Sequence, residues 1–535
     1  MQIPPIHSEH IFIFPFKWEK YVGPDASRTP LSLRASVDEF AMYLERGPWR
    51  QFTFEPVVND EQYNTYNEFA YFYDFARDVL NISMSDPETS VRIAQFKYEA
   101  IEIPKASYEI HLINGSTYTL KLKEILLNIY ENGVGIIAYL LQNNTYPALC
   151  DIRKINDYGR RLFPQFLGHE QNNQTQDPKK NFLASKIILN GVKTAQTNTI
   201  VEDFSHFDAQ EKVKRFPSHL PNHIMALLGT GVKDHPALAQ KGDYLIAPLL
   251  DDRMFVMCFS AQAAHMKHLL AKPADKPAED KEANWTSDTE WYQYLFIDGG
   301  SSSCPNPEMR KRLIEKATYT RWLNTEEPAY STLFGITRYS FMMMVSDSSD
   351  TFVRNVLLNH FRHMYFQLVL LCLLQRASII QFSGEVARIA RRLTGDAQEI
   401  DGEQSNIAHL YVQYIKFVNR IFFREVTPQE QGIELYDLLQ EQMRIRDEVK
   451  DLREEIAEIN TYAETKENSR LTYVATLFLP ASFVASLLAL FGLNWPEEVR
   501  GQLVLYLIIS SVVLAFISLF LAKPLVRIIK QWGKR

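Results

Sequence analysis

Leu471–Leu490 reads LTYVATLFLPASFVASLLAL and Leu503–Ala522 reads LVLYLIISSVVLAFISLFLA, and neither carries a charge in twenty positions. With a rise of about 1.5 Å per residue, each makes a helix of roughly 30 Å, the thickness of a bilayer's hydrocarbon core. Two such segments at one chain end predict a membrane hairpin. The competing reading, a helical pair buried in a large soluble core, is the weaker one for two full-length segments. Between them lies Phe491–Gln502 (FGLNWPEEVRGQ), with Glu497 and Glu498 against Arg500. Beyond the second segment the tail carries Lys523, Arg527, Lys530, Lys534 and Arg535 and no acid. The positive-inside rule then puts the tail in the cytoplasm and the short loop outside, so residues 1–470 are expected in the cytoplasm. The expected location is the inner (plasma) membrane.

The composition bounds the rest. At 535 residues the chain is too long for one ordinary core. It is 46% hydrophobic and 23% charged, which excludes bulk disorder. The net charge of −7 gives no basic excess, so no direct nucleic-acid partner is expected. Cys150, Cys258, Cys304 and Cys372 lie far apart with no CxxC pair, which excludes a disulfide framework or zinc ribbon and fits a reducing compartment. The opening MQIPPIHSEHIFIFPF has no basic n-region and no sustained apolar run, so no secretory signal is expected.

Residues 1–345 read as a cytosolic α/β region. Gly168–Lys180 and Ala271–Ala283 are polar loops or linkers. Tyr108–Ile113 and Thr117–Leu122 flank Asn114–Gly115, predicting a hairpin with a type I′ turn. Gly135–Leu141 predicts a buried strand, and a helical stretch follows NNTYP through Leu162. Tyr244–Leu249 and Arg253–Phe259 predict a second hairpin across Leu250–Asp252. Tyr294–Asp298 and Arg338–Val345 read as further strands.

From residue 346 to 470 the pattern turns helical, as a stalk bundle. Asp350–Arg392 reads as one long helix whose apolar stretch Met364–Leu374 is too short to span a bilayer. Ser405–Glu425 is a second helix, ended by Thr427–Pro428. A third starts near Gln429 and meets no breaker until Pro480, which predicts a rod of roughly 75 Å. Along it Ile445, Val449, Leu452, Ile456, Ile459 and Ala463 form a heptad seam with charged flanks.

A lone two-span hairpin has no room for a polar path, so transport needs several copies around an axis. Steps of three and four from Asn468 give Leu471, Ala475, Leu479, Ser482, Ser486 and Ala489, then Asn494. A stripe of small and hydroxylated residues fits either a pore lining or close helix packing. The run LTxxATxFxPxSFxA (Leu471–Ala485), followed by Gly492-Leu493-Asn494, resembles the CorA family of divalent-cation channels. The resemblance covers roughly Asp350–Arg535, including TPQEQG at Thr427–Gly432. It implies a cytosolic α/β domain, a stalk helix running into a pore helix at residues 471–491, an outer signature loop at 492–502, a lipid-facing helix at 503–522 and a basic tail at 523–535.

Carried onto this chain, Gly492, Leu493 and Asn494 form the selectivity mouth, where Asn carbonyls from symmetric copies would hold a hydrated cation such as Mg²⁺. Asn468, Leu471, Ala475, Leu479, Ser482 and Ser486 line the pore. Leu493 stands where the family signature has Met, and Pro480 lies further from Gly492 than is usual, by nearly one helical turn. The expected assembly is a homo-oligomer, a pentamer, with first spans inside. Within the α/β region, Leu127–Asn143 and Asp151–Leu167 resemble CorA-like membrane effectors encoded beside type III CRISPR loci. That implies antiviral defence gated by a small anionic nucleotide second messenger such as an S-adenosylmethionine–AMP conjugate, held near Arg153, Arg160 and Arg161. Two alternatives remain: a housekeeping Mg²⁺/Co²⁺ channel inhibited by cytosolic Mg²⁺, and a membrane-tethered nucleotide-binding protein or enzyme without a pore.

Other patterns are weaker. Gly299–Pro305 and Gly229–Lys233 are glycine-containing turns that could meet a phosphate, but neither is a P-loop. His360 and His363 lack a third metal ligand of matching spacing. Asp396, Glu399, Asp401 and Glu403 form an acidic turn that reads best as a solvated loop. With no GxSxG or HExxH motif, no enzymatic activity and no catalytic residue are expected.

Overall fold

The computed structural model describes residues 5–23, 36–52, 70–80, 93–162, 184–204, 220–251, 253–272, 283–324, 327–393, 400–462, 465 and 509. Two compact units, Met1–Leu452 and Arg453–Arg535, make up the chain. The first is an α/β body in which the helices after Ser346 belong to the same unit as the sheet.

Its strands are β1 (Ser8–Lys20), β2 (Trp49–Gln51), β3 (Ile93–Tyr98), β4 (Ser107–His111), β5 (Thr117–Tyr130), β6 (Val134–Asn143) and β7 (Lys186–Asn190). They continue with β8 (Thr199–Asp203), β9 (Val232–Lys233), β10 (Tyr244–Pro248), β11 (Phe255–Ala261), β12 (Thr318–Tyr319), β13 (Thr332–Thr337) and β14 (Ser340–Val345). The helices are α1 (Val37–Leu44), α2 (Asp74–Leu80), α3 (Leu149–Gly159), α4 (Asn222–Leu228) and α5 (Ala263–Leu270). After them come α6 (Thr289–Phe296), α7 (Pro307–Ala317), α8 (Phe366–Leu393), α9 (Ile400–Arg420) and α10 (Glu430–Met443).

All the strands join one mixed sheet, with parallel pairing only at β11–β14 and β9–β10. β1 lies inside it and is buried along nearly its whole length. The apolar run IFIFPF suits a strand covered on both faces. Phe12, Phe14, Phe16 and Trp18 alternate onto one face and into the main core. Glu9, on the other face, receives the Arg362 guanidinium, with Nε 2.7 Å from Oε2.

One edge of β1 pairs with β6 from Ser8 to Lys17. Its other edge holds two strands end to end, β11 opposite Ser8–Ile13 and β10 opposite Phe16–Lys20. β10 and β11 therefore do not form the hairpin expected across Leu250–Asp252. β1 is long enough to seat both in line, so each pairs with it and not with the other. β5 repeats the arrangement, with β4 along Thr117–Lys121 and β3 along Leu126–Tyr130.

The β4–β5 hairpin forms as expected, with Ile110 opposite Tyr118. Its turn is longer than type I′. Only Gly115 has a positive φ, 85°, and the Leu112 N–H reaches the Ser116 carbonyl at 2.8 Å. Tyr294–Asp298, expected as a strand, belongs instead to the end of α6 and its stop. The Asp288 carboxylate caps that helix by accepting the Trp291 N–H at 2.6 Å, and Ile297 ends it at φ 57°.

Residues 351–393 are helical throughout, with two π-helical turns at Val353–Leu357 and Phe361–Tyr365. Val353–Arg392 is long and apolar enough to cross a membrane, but 83% of its most apolar window is buried within the protein. Ring contacts of Tyr365 with Phe334 and Phe341 seat it on the sheet, and Asn132 donates to the Ser378 hydroxyl at 2.6 Å. These contacts read it as a core helix.

The rod expected from Gln429 onward is interrupted. α10 ends at Arg444, whose φ of 57° is left-handed, and helix resumes at 445. Ile445, Val449 and Leu452 of the expected seam are buried. In the second unit residues 453–462 are helical, with Ile456 buried and Ile459 half-buried. Ala463 lies outside the described residues.

Gly135 sits opposite Phe16 in the β1–β6 ladder, and a Cβ there would lie 2.4 Å from the Phe16 ring. Overpacking a rigid ring predicts that Gly135→Ala destabilises the body by about 1–3 kcal/mol. Urea denaturation followed by tryptophan fluorescence should show the lowered midpoint, and an unchanged one would contradict this packing.

Candidate functional site

The polar face of α3 is the most unusual surface inside the body. Asn143 starts the segment by accepting the Thr145 and Tyr146 N–H groups at 3.1 and 2.9 Å, and Pro147 leads into the helix. Ile152 and Ile155 bind α3 to the core. Gly159 has no room for a side chain, since a Cβ would come within 2.7 Å of Phe12. Arg153, Asn156, Asp157, Arg160 and Arg161, at spacings of three and four, are nonetheless buried as well.

Asp157 organises this face. Its Oδ1 accepts from Arg161 Nη2 at 2.7 Å and lies 3.8 Å from Arg160. Its Oδ2 accepts the Gly299 N–H at 3.3 Å. Arg153 donates to Gln293 and lies 3.4 Å from Glu290, both on α6. Gln293 in turn donates to the Gly300 carbonyl at 3.0 Å. The structure thus brings the arginines and the Gly299 turn, far apart in sequence, into one place. Arg253 joins them through a β-bridge with Arg161 and pairs with Asp251 at 3.1 Å.

Donors outnumber acceptors here. Arg153 Nε, Asn156 Nδ2, Arg160 Nε and Arg161 Nη1 have no hydrogen-bond partner. Their residues are only 7%, 1%, 4% and 6% exposed. An unmet buried donor costs roughly 1–3 kcal/mol, and more when charged. Burial lowers the Arg160 guanidinium to about 10 against the pull of Asp157, so it stays charged at neutral pH. Among the described residues, Arg160 and Arg161 share the one carboxylate of Asp157, while Arg153 pairs with Glu290 and Arg253 with Asp251.

Of these residues, sequence reading names Arg153, Arg160 and Arg161 and, separately, the Gly299 turn. Asn156 and Asp157 were findable by stepping three and four from Arg153. Arg253, Glu290 and Gln293 carry no local signal.

The weaker candidates resolve differently. In Gly229–Lys233 the Gly231 N–H donates to the Tyr43 hydroxyl at 2.9 Å, and Lys233 Nζ donates to the Thr230 carbonyl at 2.6 Å. In Gly299–Pro305 the Ser303 N–H goes to Asp298 Oδ2 at 2.7 Å. The Gly231 and Ser303 amides thus serve protein acceptors. His360 and His363 are half-buried beside the second π turn, and no metal-holding group of three or more ligands occurs among the described residues. Asp396 and Glu399 lie outside the described residues; Asp401 and Glu403 fall within α9. Asn468, Leu471, Ala475, Leu479, Ser482, Ser486, Gly492, Leu493 and Asn494 lie outside the described residues. No family model, curated protein or solved structure matches the chain.

A buried histidine network adjoins α3. His10 Nδ1 lies 2.7 Å from Asn156 Oδ1, an acceptor, so the ring donates there while Ser8 Oγ meets Nε2 at 2.8 Å. Burial holds His10 at about 4 despite the Asn156 bond, and holds His223 at about 3. Both are neutral when folded, whereas an unfolded histidine protonates near 6.5. The unfolded state binds more protons below that value, so this stability is complete above about pH 6.5 and falls away toward pH 4. Both His223 ring nitrogens are unpartnered. His223→Leu should therefore cost little at pH 7.5 and remove on the order of a few kcal/mol of acid sensitivity. Denaturant titrations at pH 7.5, 5.5 and 4.5 test this; parallel pH slopes for the two proteins would overturn it.

Proposed function

We propose that this chain is one subunit of an oligomeric, CorA-like membrane ion channel whose cytoplasmic body gates it on binding an anionic nucleotide. The carrying observation is Leu471–Asn494: a charge-free helix-length run with a small and hydroxylated stripe, ending at Gly492-Leu493-Asn494 and followed by a second charge-free run. A single hairpin encloses no path, so the reading calls for a ring of copies, a pentamer, with stripes facing the axis. Leu471 and Leu479 would be the dry constrictions and Asn494 the outer mouth, with Mg²⁺ as the first ion to try. Burial of Ile445, Val449 and Leu452 supports a packed stalk. On this reading the stalk begins after the break at Arg444 and not at Gln429.

The positive α3 face, lying within the segment that resembles CRISPR-associated effectors, supports a nucleotide as the trigger, with an S-adenosylmethionine–AMP conjugate as the leading compound. The reading is an antiviral channel that perturbs ion balance across the inner membrane. Reconstitution of the full chain in vesicles, with ion-sensitive dye inside, tests it. Flux should appear on adding S-adenosylmethionine–AMP, Leu479→Ser should leak without it, and Asn494→Ala should weaken discrimination among cations. Particles in detergent should show fivefold symmetry. Flux controlled by Mg²⁺ alone would favour a housekeeping channel, and a monomer without flux would end the channel reading.

A further inference from the structure

We infer that the buried polar face of α3 is a phosphate-binding site, formed by Arg160 and Arg161 with Asn156 and Arg153 and with Asp157 as its internal counter-anion. The assignment deepens the gating reading only in naming where that ligand's phosphate sits; the site's chemistry stands without it.

The inference rests on the sign of the deficit. Four unpartnered polar atoms lie on one buried face, and all four are donors. A ligand that satisfies them must be rich in acceptors and poor in donors. It must also carry negative charge, because Arg160 and Arg161 share the single carboxylate of Asp157. Phosphate meets each condition, with several acceptor oxygens, negative charge and a geometry that guanidinium forks match. Asp157 already plays that part from within. It accepts from Arg161, lies near Arg160 and takes the Gly299 N–H, yet leaves Arg160 Nε and Arg161 Nη1 unmet. A carboxylate on the helix itself cannot reach every donor of two neighbouring arginines. The site is anchored on rigid parts of the fold: Gly159 lies against Phe12, Met254 N–H donates to the Arg160 carbonyl at 2.9 Å, and Asn156 is fixed by His10.

The experiment is calorimetric and thermal-shift titration of the detergent-solubilised full chain with inorganic phosphate, pyrophosphate and AMP, with adenosine as the uncharged control. Phosphate-bearing probes should raise the melting temperature in a saturable way, and adenosine should not. Arg160→Gln should weaken phosphate affinity roughly ten-fold or more, as loss of a charge-assisted pair does. Arg50→Gln, at an exposed position beside Glu99, should leave it unchanged. If Arg160→Gln does not fold, Asp157→Asn answers the question. Removing the internal counter-anion should tighten phosphate, and unchanged or weaker binding would overturn the site. No binding at millimolar phosphate, or equal affinity in wild type and Arg160→Gln, would also overturn it and leave ordered water as the occupant of those donors. AMP binding tighter than inorganic phosphate identifies a nucleotide, and the reverse identifies free phosphate. Binding with these properties but without ligand-dependent ion flux would end the gating reading and leave the site standing. Flux without phosphate binding would do the opposite.

Discussion

The β1 strand is the constraint on which the body depends. Thirteen consecutive residues, Ser8–Lys20, hold β6 on one edge and both β11 and β10 on the other. Every other strand reaches the sheet through one of these three. Breaking the β1 register by one residue would turn Phe12, Phe14, Phe16 and Trp18 to the opposite face, where Glu9 and Arg362 pair. The close approach of Phe16 to Gly135 makes such a slip sterically costly. The strand that fixes the core thus also seats the long helix of residues 351–393, which explains why sheet and helices form one unit.

What could be read from the sequence follows from range of interaction. The β4–β5 hairpin, the buried strand at β6, the helix of α3, the strand at β14 and the long helix through Arg392 are written in local patterns. Errors came where a distant partner decided the outcome. Tyr244–Phe259 has every sign of a hairpin, but the sequence between them says nothing of β1's open edge. Tyr294–Asp298 is apolar enough for a strand, yet the capping Asp288 lies outside the window that was read as one. The stop at Arg444 has no glycine or proline to announce it. Side-chain bonds set against it include Arg446 Nε to Gln440 Oε1 at 2.8 Å, which joins the two helices across the bend.

The candidate site was legible in charge and illegible in burial. Arginines at 153, 160 and 161 on a helix look like a solvated basic face, the ordinary fate of such spacing. Their burial depends on α6 and on the chain around Arg253, which bring Gln293, Glu290 and Asp251. A protein selected for stability alone would more readily place apolar residues there, since a buried charged network with unmet donors is a poor source of stability. Burying Arg153, Arg160 and Arg161 with unmet donors is a cost that an anion, bound as proposed, would offset. In the two glycine turns, by contrast, the Gly231 and Ser303 amides already donate to Tyr43 and to Asp298.

If an anion binds as proposed, the contacts beyond Arg253 connect it to the helix that resumes after Arg444. The Arg253 and Arg376 guanidinia stand 5.9 and 5.2 Å from the Tyr339 ring centre, so one aromatic face system serves two like charges. Arg376 donates to the Arg338 carbonyl at 2.9 Å, and Arg338 pairs with Glu448 at 3.1 Å, on the helix that resumes after Arg444. Arg253 and Arg161 both act on the Arg160 guanidinium by repulsion, so an anion at Arg160 and Arg161 changes the field that these arginines share. Relieving that repulsion alters the balance between Arg253 and Arg376 at Tyr339. The coupling can be no larger than the difference in ligand affinity between the two arrangements of that balance. A buried, low-dielectric cluster is where such a difference is greatest per charge, since neither water nor salt screens it. The buried arginines are on this argument linked through Arg253, Tyr339, Arg376 and Arg338 to Glu448, on the helix that resumes after Arg444.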